Sequence, residues 1–129
     1  MDLADRLALG ELPSRYGDLI DDRNWRDLDQ IFLADATFEI PGQVLDGLAE
    51  IREFMVQARH PRTHIMTNIY VDETPDGVIL RFRLVGMRPD GRIMSGRYRD
   101  VVVKRPEGWR VARRVFTATP YEEPVPPSN

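Results

Sequence analysis

Residues 63–88 read THIMTNIYVDETPDGVILRFRLVGMR, from Thr63 to Arg88, and this stretch decides the fold. Two runs of alternating character, Thr63–Glu73 and Val78–Arg88, flank Pro75-Asp76-Gly77. An acidic–glycine pair between two strand-like runs is a hairpin signal. The punctuation recurs at Asp90-Gly91 and Glu107-Gly108, which sets off two more runs, Arg92–Arg105 and Trp109–Thr119. Four runs joined by short turns predict an antiparallel meander. Gly86 and Gly96 lie inside two of the runs. Interior glycines permit bends or bulges, so the sheet is expected to be strongly curved.

Upstream of Thr63 the period changes. Asp2 suits the cap of a short helix through Leu3 and Leu7 that Gly10 would end. Pro13 suits the first turn of a second helix, with Leu12, Tyr16, Leu19 and Ile20 on one stripe. Asn24 reads as a cap or break, after which Trp25, Leu28, Ile31 and Phe32 continue at helical spacing. Ala36–Ile40 alternates as a short strand stopped by Pro41-Gly42. A further helix is expected from Leu48 to about Ala58, with Leu48, Ile51, Phe54 and Met55 inward. Helices followed by a curved antiparallel sheet make an α+β domain over 1–119, with a proline-rich tail at 120–129. A bent sheet closed by helices on its concave side encloses a cone, a natural pocket for a small molecule.

The bulk numbers narrow the partners. The chain has 129 residues, 18 basic against 21 acidic, and a net charge of −3. Nucleic acid is not the expected partner, because a phosphate-binding face usually needs a basic excess. The absence of cysteine excludes disulfides and thiolate zinc sites. No apolar run approaches the ~20 residues that span a bilayer, and the start lacks the regions of a signal peptide, so a cytoplasmic protein is expected.

Alternation supplies candidate pocket residues. His64, Met66, Asn68 and Tyr70 share one face of the first long run. Met94, Gly96, Tyr98 and Asp100 share a face of the third, and Arg110, Ala112, Arg114 and Phe116 one of the fourth. His64 is one of two histidines, and imidazole is the side chain best suited to move protons near neutral pH. The other, His60 before Pro61, reads as a loop residue.

Four motifs fall in order along residues 10–118: Tyr16-x4-Asp21-x-Arg23-x-Trp25, Arg62-Thr63-His64-x3-Asn68, Ser95-Gly96-x-Tyr98-x-Asp100 and Gly108-Trp109-Arg110-Val111. The set resembles the SnoaL-like branch of the nuclear transport factor 2-like superfamily, on the side of scytalone dehydratase, hexachlorocyclohexane dehydrochlorinase and bile-acid dehydratase. The resemblance implies a cone-shaped curved sheet packed by N-terminal helices. It also implies an Asp–His pair, Asp21 and His64, with His64 taking a proton from carbon. Asp22 is the alternative partner, since an ideal helical wheel puts Asp21 away from the Tyr16–Ile20 stripe. Tyr16, Tyr98, Arg114, Asn68 and Phe116 are carried over as candidate substrate-binding residues. The second strand, Leu84-Val85-Gly86-Met87, has no histidine where the scytalone enzyme has one.

In such a site a carboxylate bonded to one ring nitrogen leaves the other free as a base. A tyrosine hydroxyl, Tyr98 or Tyr16, would stabilise the oxyanion that develops, and Arg114 would bind an anionic group or help the leaving group. The expected activity is a cofactor-independent, metal-free lyase of dehydratase type, acting on a small hydrophobic, cyclic or polyketide- or steroid-like substrate. An isomerase or polyketide cyclase with the same pair, or a non-catalytic binding domain, are the alternatives. A homo-oligomer, dimer or trimer, is expected, with Arg97, Arg99, Val101 and Val103 as candidates for the outer contact face.

Overall fold

The structure, a computed structural model, describes residues 1–120; the tail expected at 120–129 falls outside them but for Pro120. The first helix, α1, runs without a break from Leu3 to Asp21. Asp2 caps it: its Oδ1 accepts from the Asp5 backbone N–H at 2.8 Å, and Asp5 Oδ2 accepts from the Asp2 N–H at 3.3 Å. The division expected at Gly10 and Pro13 is not there. Proline inside a helix removes one backbone bond and costs ~3 kcal/mol. Here that loss is outweighed by one continuous buried stripe, Leu9, Leu12, Tyr16 and Ile20, that passes through both positions.

A 3-10 helix at Trp25–Gln30 follows, shorter than the helical spacing through Phe32 suggested. Phe32 instead opens the strand β1, Phe32–Ile40, which pairs antiparallel with β2, Gln43–Asp46. Helix α2 covers Leu48–Gln57. The meander is as expected: β3 (Thr63–Thr74), β4 (Gly77–Met87), β5 (Ile93–Arg105) and β6 (Gly108–Ala118) pair antiparallel in sequence order. The full order is β2-β1-β6-β5-β4-β3, and β1 lies parallel to β6. The curved sheet stays unclosed, with α1 packed along its β3 edge and the buried residues on its concave face.

Two irregularities turn the alternation over. In β3 the register passes from Thr67↔Arg83 to Tyr70↔Arg81, so two residues oppose one, and Asn68 takes a left-handed φ of 54°. His64 and Met66 therefore point inward, whereas Asn68 and Tyr70 point outward, and Ile69 and Val71 pack on the core. In β6 the register shifts by one residue opposite Val101–Val102, so Arg114 and Phe116 share the inner face with buried Val111 rather than with Ala112 and Arg110.

The interior glycines serve close approach. A Cβ on Gly96 would stand 2.2 Å from Phe116 Cε2, and one on Gly86 would stand 3.0 Å from Pro61 Cγ. Both leave room for a ring on the concave side.

Candidate active site

The site grows from the seam between α1 and β3. Gly17 is buried, and a Cβ there would meet Met66 Cε at 3.4 Å and His64 Cβ at 3.5 Å. Lacking a side chain, Gly17 lets the helix lie directly on the strand. Asp21, four residues on and on the same face, is thereby brought over His64. Its carboxylate takes three bonds: from His64 Nδ1 at 2.5 Å, from the His64 backbone N–H at 3.0 Å and from Thr63 Oγ1 at 3.3 Å. Asp22 is exposed and caps the helix instead, so Asp21 is the residue that meets the histidine. The bonded carboxylate fixes the ring as the Nδ1–H tautomer and leaves Nε2 as its acceptor.

The His64 side chain is only 5% exposed, yet it lines a cavity of about 990 Å³ inside the curved sheet. Tyr16, Tyr98 and Phe116 line the same cavity, as the sequence placed them. The two tyrosines meet edge to face with ring centroids 6.0 Å apart, and Phe82 stacks on Tyr98 at 4.7 Å. Burial pushes both phenols up, Tyr98 well above the usual tyrosine range, against the opposing charge of Arg114. Both are therefore O–H donors at neutral pH.

Two of the expected binding residues are elsewhere. Asn68 sits in the β3 bulge, accepts from Thr67 Oγ1 at 2.9 Å and borders the outer face with Arg83 and Arg97. Arg114 lies beneath the cavity wall rather than on it. It is wholly buried and pairs with equally buried Asp100 through Nε–Oδ1 and Nη2–Oδ2 bonds, both 2.9 Å. Five rings surround its guanidinium, Tyr16 at 4.2 Å and Tyr98 at 4.7 Å nearest, with Phe32, Phe38 and Phe82 beyond. Burial alone would lower the Arg114 pKa; the Asp100 charge overcomes it and holds the group protonated. Arg114 is thus committed to Asp100, with Nη1 alone lacking a partner among the described residues.

Three contributors escaped the sequence reading. His60 is in a loop, as expected, but its ring lines the cavity beside Trp25, centroid to centroid 5.3 Å. Its Nε2 bonds the Met55 carbonyl oxygen at 2.7 Å, and burial lowers its pKa. Arg23 lines the cavity from a left-handed position just past α1, φ 56°. Asp100 was legible on the Tyr98 face but was not linked to Arg114, because pairing register is needed to set them opposite. Among the described residues no cluster of three or more His, Cys, Asp or Glu could hold a metal ion, and no helix is long and apolar enough to cross a membrane.

The profile of the SnoaL-like domain matches residues 1–115. The chain belongs to the SnoaL-like family. An uncharacterized protein of Mycobacterium tuberculosis (strain ATCC 25618 / H37Rv) is 28% identical over 127 residues, covering 90% of this chain and 86% of its own. Among solved structures, a nuclear transport factor 2-like protein with a cystatin-like fold from Novosphingobium aromaticivorans superposes with a TM-score of 0.80 at 22% identity, covering 93% of this chain and 85% of its own. A candidate scytalone dehydratase from the same organism superposes with a TM-score of 0.74 at 20% identity, covering 98% and 97%. At these identities the two structures carry the fold. What a chain of this fold does is set by the side chains of its site, not by the fold.

Proposed function

We propose that this SnoaL-like protein is a cofactor-independent lyase of dehydratase type, with His64 as the proton-abstracting base. The observation that carries the reading is the Asp21–His64 bond on the wall of a mostly apolar cavity. Asp21 holds the ring so that Nε2 is the acceptor, and it stabilises the positive charge that the ring gains. The substrate is a small hydrophobic molecule with a hydroxyl two carbons from a carbonyl.

His64 Nε2 removes a proton from the carbon next to the carbonyl. The electron pair moves into the carbonyl, and the oxyanion is met by the Tyr16 or Tyr98 hydroxyl. Collapse of the enolate forms the carbon–carbon double bond and expels the hydroxyl group, which leaves as water with the proton that His64 carries. The buried Arg114 charge, 4–5 Å beneath the tyrosine rings, favours negative charge at that floor.

The test is water loss from a panel of cyclic β-hydroxy ketones, followed by mass spectrometry and by NMR in D2O. His64→Gln is expected to lower kcat by ~10²–10⁴-fold with little change in KM. Asp21→Asn is expected to act in the same direction, since it removes the charge while keeping the shape. Turnover unchanged in His64→Gln would remove the base assignment.

A further inference from the structure

We propose that the cavity is built for an apolar molecule bearing a carboxylate, which Arg23 and Arg59 bind at the mouth. Combined with the lyase reading, on which the word substrate rests, this makes the substrate a hydrophobic acid whose reacting end lies deep, by His64 and the tyrosines.

The charge on the cavity wall is lopsided. Among the described residues the lining holds Arg23 and Arg59 and one acid, Asp90, which already faces Arg92 at 3.9 Å; Arg88, also in the lining, has a partner of its own. This occurs in a chain whose acidic residues outnumber its basic ones, 21 to 18. The arginines are exposed residues, so they stand at the solvent end, whereas His64 and Tyr98 are sheltered. Between the two ends the wall is apolar, with Trp25, Phe54, Met55 and Phe116.

Arg23 is also pre-set. It occupies the left-handed slot after the helix that glycine usually fills, at a cost of ~1–2 kcal/mol for a residue with a Cβ. Its Nη1 donates to the Ile20 carbonyl oxygen at 2.7 Å, which fixes the plane of the fork. A guanidinium has five N–H donors, so the rest of the fork is left for a ligand. Strain retained where a side chain reaches a cavity is a mark of function. Arg59 precedes His60 in the chain, and the Arg23 charge, after burial, helps to lower the His60 pKa. Arg23, Arg59 and His60 all line the cavity. Arg59 has no partner among the described residues. Two planar forks over an apolar wall suit a carboxylate, whose bonds to arginine are charge-assisted.

The experiment uses the full chain labelled with ¹³C-methyl methionine. Met55 and Met94 line the cavity and report on it. 2-Naphthoate and its neutral counterpart 2-naphthamide are titrated at low salt, and the affinity is read from those two methyl signals. Naphthoate is expected to bind at least ~10-fold more tightly than the amide, with the preference shrinking in ~0.5 M salt. In Arg23→Gln/Arg59→Gln the preference should vanish while the amide affinity stays, which also shows the variant folded. Equal affinities in the wild type, a preference that survives in the double variant, or shifts confined to other methionines would overturn the proposal. His64→Gln should keep the preference, so failure of the anion site and failure of the base assignment give different results.

Discussion

Replacing Asp100 by alanine leaves the Arg114 guanidinium wholly buried with no counter-ion. In the native fold both side chains are fully shielded, and two 2.9 Å bonds join them. Breaking such a pair from one side costs about 3–5 kcal/mol, because the remaining charge must be desolvated or the fold must open to water. The ring cage at 4.2–5.5 Å retains part of the charge stabilisation, which favours the lower half of that range. A domain of this size has roughly 5–15 kcal/mol of stability in all, and loses about 4 °C of Tm per kcal/mol. Asp100→Ala should therefore lower Tm by roughly 12–16 °C. Asp100→Leu/Arg114→Met removes both charges and should recover at least ~3 kcal/mol over the single variant, since apolar replacement of a buried pair is often neutral. Urea unfolding followed by circular dichroism, with m-values compared, measures both. A loss under ~1 kcal/mol in Asp100→Ala, or a double variant no more stable than the single one, would refute the account of the pair.

At Gly17 the added methyl of alanine meets only ordinary contacts, and helix propensity should raise stability by up to ~1 kcal/mol, whereas Gly17→Leu should lift α1 from β3. The His64 imidazole NMR signals should be near native in the first variant and displaced in the second. At Gly96 a methyl group stands 2.2 Å from Phe116, so Gly96→Ala should cost ~1–3 kcal/mol in urea unfolding, with Phe116→Leu restoring most of it. At Asp5, bonds from Lys104 at 2.9 Å and Trp109 Nε1 at 3.0 Å hold the carboxyl far below the usual range. A depressed carboxyl contributes stability above its unfolded pKa of ~3.9 and loses it as pH falls toward the folded value. The acid-side fall in urea midpoint should accordingly be shallower in Asp5→Asn than in the wild type.

The meander was legible because its signals are local. Asp76-Gly77, Asp90-Gly91 and Glu107-Gly108 each fix a turn between neighbouring strands, and their order fixes the pairing. What was not legible depends on distant partners. β1 runs parallel to β6 across some seventy intervening residues, and β2 is only four residues long, too short for alternation to show. The bulge at Asn68 carries no glycine to announce its left-handed backbone, so alternation placed Asn68 in the cavity when it faces outward. Pro13 misled because propensity weighs the residue alone, whereas the helix is held by the stripe it buries.

The Asp21–His64 pair shows where such a reading can be improved. The wheel centred on Leu12, Tyr16 and Ile20 sets Asp21 aside because it counts only large apolar residues as the buried face. Pro13 and Gly17 are buried as well, four residues apart, and Asp21 continues that row. Gly17 is buried against His64 and Met66 of β3, so it marks a second packed row, and that row ends on the carboxylate. It follows that the Asp21–His64 and Asp100–Arg114 pairs have different supports. Asp100 and Arg114 are opposed within the sheet, fixed by the β5–β6 ladder. Asp21 reaches His64 only through the docking of α1 on β3. The helix seam therefore governs the proton-handling pair directly, and it reaches the buried ion pair only through Tyr16, whose ring lies 4.2 Å from the Arg114 guanidinium.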